Sequence, residues 1–279
     1  MNQGAGGGAE APHGDGPGCE WSQAPGSSRR IVMAIGGLDP SGGAGLAADC
    51  RVIRQLGFHP APVASALTAQ GEAGVAWWEP VAAEALIAQV RSVLSTGPVA
   101  AVKIGMVGDR ALVEPILRAI AGLEALPIVF DPVLEASSGQ PLLRGAPAEL
   151  LPLMRRATVV TPNLPELGLI AGLPVEDLPS MRAAARSLTA KGLRAVLAKG
   201  GHLQGPPVDL LWDGSGFHEF PAERLEVGPV RGTGCALAAA LACTLGRGEP
   251  LVRAVGSARH FLRSSLGSAY GLGGRLRYL

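Results

Sequence analysis

After Arg30 the chain falls into short apolar runs separated by stretches with helical spacing. Ile31–Ile35, Pro62–Leu67, Val99–Ile104, Ile128–Phe130, Thr158–Thr161 and Ala195–Ala198 read as buried strands, each short and aliphatic. Between them, Ala44–Leu56, Val81–Leu94, Arg110–Ala121, a turn or two around Glu166–Ala171, and Met181–Lys191 repeat apolar residues at three- and four-residue intervals, the pattern of an amphipathic helix. Val208–Trp212 and Gly216–Phe220 flank Asp213-Gly214 and predict a hairpin. Cys235–Leu245 and Leu251–Leu262 close the chain as helices. Strands alternating with helices at this spacing predict a parallel sheet covered on both faces, in one domain over 30–279. No internal repeat or linker interrupts it.

Residues 1–29 are glycine- and proline-rich and lack apolar periodicity. They read as a disordered tail rather than a secretory signal, because no basic start leads into an apolar stretch. Composition narrows the class. Apolar residues make up 47% of the 279 and aromatics 4%, so the core must be built from Ala, Val, Leu and Ile. Lys and Arg total 24 and Asp and Glu 23, a net charge of +1 that excludes bulk electrostatic recruitment of nucleic acid or an acidic membrane. No apolar run is long enough to span a bilayer. Cysteines stand at 19, 50, 235 and 243 without a C-x-x-C pair or a zinc-like spacing. They predict reduced thiols in a cytoplasmic protein.

In parallel sheets ligands bind beyond the carboxyl ends of the strands. Glycine-rich or polar segments cluster at those predicted ends. Gly232-Thr233-Gly234-Cys235 precedes an alanine-rich helix, where free N–H groups and the helix dipole suit a phosphate. At that first turn Cys235 is expected to have a lowered pKa. Gly36–Gly45 is a second glycine-rich loop, in which Gly37 lets a ligand approach the backbone. It carries neither a Walker ending nor a clean dinucleotide fingerprint, so a dehydrogenase is disfavoured. Asp49, one turn past Gly45, could accept bonds from an amine-bearing substrate or be a surface helix residue. Asn163 and Glu166 share a face of an opening helix, an arrangement that serves Mg²⁺ or a helix cap. Lys199 suits a phosphate as a point charge, and Asp131 a metal or a phosphate.

These segments together resemble the hydroxymethylpyrimidine/phosphomethylpyrimidine kinases of thiamine biosynthesis, in the ribokinase-like superfamily. The match runs in order through GLDPSGGAGLAAD (37–49), SALTAQ (65–70), VKIGMVG (102–108), DPV (131–133), SGQPLL (138–143), TPNLPE (161–166), LAKGGHL (197–203), VDLLWDG (208–214) and GTGCALAAALA (232–242), covering about 30–268. The resemblance implies a three-layer α/β/α sandwich with a mostly parallel central sheet, a homodimer, ATP and Mg²⁺ as cofactors, and a small-molecule pyrimidine as the partner, with no nucleic acid or membrane. It implies a pyrimidine pocket of Asp49, Gln70, Met106 and Val133, and an anion hole of Gly232, Thr233 and Gly234. It makes Cys235 the candidate base, Asn163 and Glu166 the organisers of Mg²⁺, and Lys199 and Asp131 neighbours of the phosphates.

The sequence departs from the family at four places. Val227-Gly228-Pro229-Val230-Arg231 stands where relatives usually read T-K-N-T-H, with Arg231 positioned to pair with a phosphate. Gly71-Glu72 replaces Asn-Thr and puts a carboxylate near the expected pocket mouth, against a phosphorylated substrate. Gln140 replaces an Asp and Ala238 a Ser. These changes keep two alternatives open: a pyridoxal or pyridoxine kinase on the same fold, and a non-catalytic pyrimidine-binding regulatory protein.

Overall fold

The computed structural model describes residues 29–225 and 227–279, so the expected tail, Cys19 included, lies outside the described residues except for Arg29. In chain order the strands are β1 (Ile31–Leu38), β2 (His59–Gly71), β3 (Gly74–Pro80), β4 (Val99–Ile104), β5 (Gly108–Asp109), β6 (Ile128–Phe130), β7 (Leu143–Arg144), β8 (Val159–Val160), β9 (Val196–Ala198), β10 (Val208–Trp212), β11 (Phe217–Pro221), β12 (Tyr270–Gly271) and β13 (Arg277–Tyr278). The helices are α1 (Gly45–Gln55), α2 (Ala83–Thr96), α3 (Val113–Ala119), α4 (Leu151–Arg156), α5 (Leu164–Ala171), α6 (Leu178–Ala190), α7 (Thr233–Gly246) and α8 (Leu251–Gly267).

Nine strands form one sheet in the order β11-β10-β9-β8-β6-β4-β1-β2-β3. The six from β9 to β2 run parallel, and β3 at one edge and β10–β11 at the other are antiparallel. Alternate strand residues enter two separate cores. Met33, Ile35, Val102, Ile104, Ile128 and Phe130 pack under α2–α6. Val32, Ala34, Ala101, Val129 and Leu197 pack under α1, α7 and α8. Strands buried on both faces are aliphatic throughout because neither side meets water, which is the composition the sequence carries. The expected three-layer α/β/α sandwich is the observed one. Among the described residues no helix is long and apolar enough to cross a membrane.

α7 is buried along almost its whole length between α1, α8 and the sheet. Its alanines make that possible. At its end a Cβ on Gly246 would lie 3.3 Å from the Ala101 Cβ on β4, so a larger residue there would force the layers apart.

Several boundaries differ from the sequence reading. β2 extends at both ends, to His59 and Gly71, and pairs with β3, a strand that the sequence reading leaves without an element. Because β3 ends at Pro80, α2 begins two residues late, at Ala83. The helix expected from Arg110 opens with a 3₁₀ turn capped by Asp109, whose carboxylate accepts the Ala111 N–H. α5 begins at Leu164, ahead of Glu166. The hairpin is as expected, with the Asp213 carboxylate accepting the N–H groups of Ser215 and Gly216.

Candidate active site

The chain leaves β1 toward β2 and returns on the other side to β4, so the strand order reverses between β1 and β4. Their carboxyl ends splay around a crevice there. The glycine loop after β1 is folded around Asp39, which is buried. Its Oδ1 accepts the Ser41 N–H at 2.8 Å and hydroxyl at 2.7 Å, and its Oδ2 accepts the Ala44 N–H at 2.9 Å. Gly45 has φ +55°, and a Cβ on it would fall 2.2 Å from the Gly37 carbonyl oxygen. Gly232, which precedes α7, has φ +75°, and a Cβ there would fall 2.2 Å from the Gly43 carbonyl oxygen. The two glycine segments therefore meet backbone to backbone, which only glycine permits. Ala236 N–H is the first in α7 to reach back, to the Gly232 carbonyl at 2.8 Å. The N–H groups of Thr233, Gly234 and Cys235 have no intrahelical acceptor.

These loops open on a cavity of about 590 Å³ that Gly232, Thr233, Gly234 and Cys235 all line. Lys199 and Asp131 stand beside the same helix end: a Cβ on Gly234 would lie 3.2 Å from Lys199 Nζ and 3.8 Å from Asp131 Oδ2. Lys199 Nζ donates to Asp131 Oδ1 at 2.7 Å, and Thr161 Oγ1 donates to the same oxygen at 3.0 Å. Burial pushes the Asp131 carboxyl up, but Lys199 and Lys103 outweigh it and hold it below the usual range. Burial works against the charge on Lys199, yet Asp131 and Glu166 keep its pKa above the ordinary value.

Asn163 and Glu166 also line the cavity. They form a capping box on α5: Glu166 N–H donates to Asn163 Oδ1 at 2.9 Å, and Asn163 N–H donates to Glu166 Oε2 at 2.8 Å. The cap alternative is therefore real, and it also aims the Glu166 carboxyl into the crevice. Burial raises the Glu166 pKa to about 7, with Asp131 adding to the rise and Lys199 opposing it. Among the described residues there is no group of three or more His, Cys, Asp or Glu placed to hold a metal.

Three residues sit otherwise than expected. Asp49 does not line the cavity. It is fully buried, bound at 2.8 Å to Lys103 Nζ, and its Oδ1 has no partner. The Cys235 thiol is not lowered by the helix end. Burial raises its pKa to about 11, more than nearby Lys103 can offset, so it carries its proton at neutrality. Glu72 does not line the cavity. Its Oε1 accepts the Leu276 N–H at 3.1 Å, tying it to the end of the chain.

The remaining wall residues are brought together as expected. Gly37, Gln70, Met106 and Val133 line the cavity together with Val227, Val230 and Arg231. Arg231 lines the cavity with its guanidinium already donating to Gln70 Oε1 at 3.1 Å, to the Gly71 carbonyl and to Asp39 at 3.4 Å. Gln140 sits against Ser138 near Gly74 in the β2–β3 turn, outside the cavity lining. Ala238 is buried in the α7 core. Two polar residues of the site escaped sequence reasoning. Asp39 lay in a quoted motif without a role. Lys103 was visible as a lone charge inside an aliphatic strand, a signal that a partner must be buried with it.

The chain is similar over most of its length to known proteins. The family model for phosphomethylpyrimidine kinase matches residues 39–277. The chain is 42% identical over 251 residues to the hydroxymethylpyrimidine/phosphomethylpyrimidine kinase of Streptomyces coelicolor, with 88% of this chain and 91% of that protein covered. Among solved structures, the phosphomethylpyrimidine kinase of Clostridium difficile superposes with a TM-score of 0.74 at 29% identity, covering 85% of this chain and all of that one. The pyridoxal kinase of Staphylococcus aureus, solved with AMP-PCP and pyridoxal, gives 0.81 at 27% identity over 91% of this chain and 93% of that one. Matched by the family model over residues 39–277 and by a relative at 42% identity over most of both chains, the chain belongs to the phosphomethylpyrimidine kinase family.

Proposed function

We propose that this chain uses ATP to phosphorylate the hydroxymethyl oxygen of 4-amino-5-hydroxymethyl-2-methylpyrimidine, and then phosphorylates the monophosphate to the diphosphate, as a cytoplasmic homodimer. One observation carries the reading. The open N-terminus of α7, the Lys199–Asp131 pair and the wall of Gln70, Met106 and Val133 all face a single cavity large enough for both reactants.

The pyrimidine lies against Met106 and Val133, with Gln70 supplying the directional hydrogen bond and the Gly37 backbone allowing close approach. The triphosphate lies toward Val227–Arg231, with its terminal phosphoryl at the N–H groups of Thr233, Gly234 and Cys235. Those donors are fixed before the reaction begins, so they stabilise the charge on the transferring group without reorganisation. Lys199 adds a cation beside the same group. The hydroxymethyl oxygen forms the new O–P bond, the bond from the terminal phosphorus to the bridging oxygen breaks, and ADP leaves. The alcohol proton passes to the Cys235 sulfur once that sulfur is a thiolate. Glu166, with Asn163 and Asp131 nearby, supplies only oxygen donors. That set fits Mg²⁺, provided the phosphates complete its shell. When bound, the ion neutralises phosphate charge. Asp49 acts on the site through Lys103, which lines the cavity and which it holds at 2.8 Å.

A second reading, phosphorylation of pyridoxal or pyridoxine, is favoured by the similarity to the Staphylococcus aureus pyridoxal kinase. The test is mass analysis of products after incubation with MgATP and the hydroxymethylpyrimidine, with pyridoxal in a parallel reaction. A diphosphorylated pyrimidine is the expected product. A monophosphate alone would remove the second step, and phosphorylated pyridoxal alone would install the second reading. No product from folded protein would favour a non-catalytic pyrimidine-binding regulator.

A further inference from the structure

The end of the chain reaches the site from outside the cavity. β13 runs alongside the segment that leads into the α7 helix end, with Val230 and Arg277 paired in parallel. Arg231 N–H donates to the Arg277 carbonyl at 3.0 Å, and Arg277 N–H donates to the Pro229 carbonyl at 2.9 Å. Tyr278 is 5% exposed. Its ring and the Arg231 side chain close on Gly43 from two directions: a Cβ at Gly43 would lie 2.9 Å from Tyr278 Cε1 and 3.2 Å from Arg231 Cδ. On the far side, Glu72 accepts the Leu276 N–H, and the Arg51 guanidinium donates to the Leu279 carbonyl at 3.2 Å.

Two of the departures from the family pattern are thereby accounted for by one feature. Glu72 anchors the segment at 276, and Arg231, whose backbone the segment pairs, ties Gln70, Gly71 and Asp39 together. Apart from Arg231, Val227–Arg231 has no side chain that can hydrogen-bond, so its own side chains offer few bonds to fix its shape. Backbone pairing with β13 supplies that order from elsewhere in the chain.

We propose that residues 276–279 form a clasp that holds the Val227–Arg231 wall and the Gly43 turn in their nucleotide-binding arrangement, with Tyr278 and Glu72 as positioning residues for ATP. This rests on the kinase reading above. Neither residue lines the cavity, so each acts through Arg231, Gly43 or the backbone of 229–231. Loss of the clasp leaves the α7 helix end and the Lys199–Asp131 pair intact and loosens one wall. The effect belongs in nucleotide affinity far more than in the rate of transfer.

The experiment measures AMP-PCP affinity by calorimetry with Mg²⁺ present, and steady-state kinetics for ATP, on the wild type and on Tyr278→Ala, Tyr278→Phe and Glu72→Ala. Tyr278→Ala is expected to weaken AMP-PCP binding and raise the KM for ATP about tenfold, with kcat within about threefold of wild type. Tyr278→Phe keeps the ring against Gly43 and is expected to restore both. Glu72→Ala lies at the surface end of the clasp and is expected to weaken binding about threefold. Combined with Tyr278→Ala it should add less than the product of the two, because both release the same segment. If Tyr278→Ala fails to fold, Glu72→Ala alone decides the outcome. Wild-type affinity in both alanine variants would overturn the clasp and leave the kinase reading standing. A wild-type chain that binds no AMP-PCP would overturn both.

Discussion

Cys235 and Glu166 face the same cavity, and burial moves both toward their neutral forms, with opposite consequences for the two roles proposed. For Cys235 the rise to about 11 means that the thiol must lose its proton before it can accept one. Phosphoryl transfer through a loose transition state asks for little base strength until the new bond is well formed, so a minor thiolate population can serve. Turnover of the wild type is then expected to climb with pH through the alkaline range, and Cys235→Ala to lose most turnover while melting near the wild-type temperature. A folded Cys235→Ala protein with wild-type turnover would eliminate Cys235 as base. For Glu166 the folded pKa of about 7 lies above its unfolded value of 4.5. Between those values the folded chain holds a proton that the unfolded chain has released, so this group's contribution to stability falls as pH rises through the window and stays low above it. Glu166→Gln keeps an oxygen for the Asn163 N–H and removes the titration. It is expected to be more stable than wild type at pH 8 by about 1–3 kcal/mol. It is also expected to need several times more Mg²⁺ for half-maximal turnover. Thermal melts at pH 5 and 8 check the first expectation, and an unchanged Mg²⁺ titration would take Glu166 out of the metal site.

At the level of elements, the ion pair between Lys103 on β4 and Asp49 on α1 joins a helix that packs over β1 and β2 to the neighbouring strand, with both side chains essentially out of water. Burial costs each charge its hydration, so neither is tolerated alone. Lys103→Met leaves Asp49 without a counter-charge, and is expected to lower the unfolding free energy by about 3–5 kcal/mol in urea titrations. Adding Asp49→Asn should return part of that loss. A double variant as unstable as the two single losses added together would show the pair to be uncoupled. The pair also marks how far the sequence could be read. Its partners stand 54 positions apart, and no local spacing announces such a contact. The parallel strands were legible because burial on both faces makes them aliphatic runs. β3 was not, because no residue in it is fully buried and Trp77 and Trp78 lack an alternating buried partner face. α4 has six residues with Pro152 among them, too few for a 3.6-residue period to emerge. The glycine loops were legible as a site because close backbone approach and positive φ leave glycine as the permitted residue, and that constraint is local. The charge states were not, because the rise at Cys235 comes from its surroundings in the folded chain, against the direction that a helix N-terminus alone would predict.

At the scale of the molecule, the cavity crosses the boundary between the two cores. Asn163 and Glu166 come from the cap and first turn of α5 in one helical layer, Gly234 and Arg259 come from α7 and α8 in the other, and the ends of β1 and β4 lie between them. A nucleotide seated there touches both layers and binds only when they are assembled. It must therefore stabilise the whole fold by mass action, by about 2.7 kcal/mol at a hundred times its Kd. For a domain of this size that corresponds to a rise in Tm of roughly 5–10 °C. AMP-PCP with Mg²⁺ is expected to produce that rise in a thermal melt. Lys199→Ala is expected to start from a lower Tm, because Asp131 loses its 2.7 Å partner in a buried place. Its rise on adding AMP-PCP should also be smaller than wild type, because the cation beside the terminal phosphate is gone. The difference between the two rises isolates binding from stability. An equal rise in both proteins would remove Lys199 from the phosphate site, and no rise in either would mean that the nucleotide does not bridge the two layers at all.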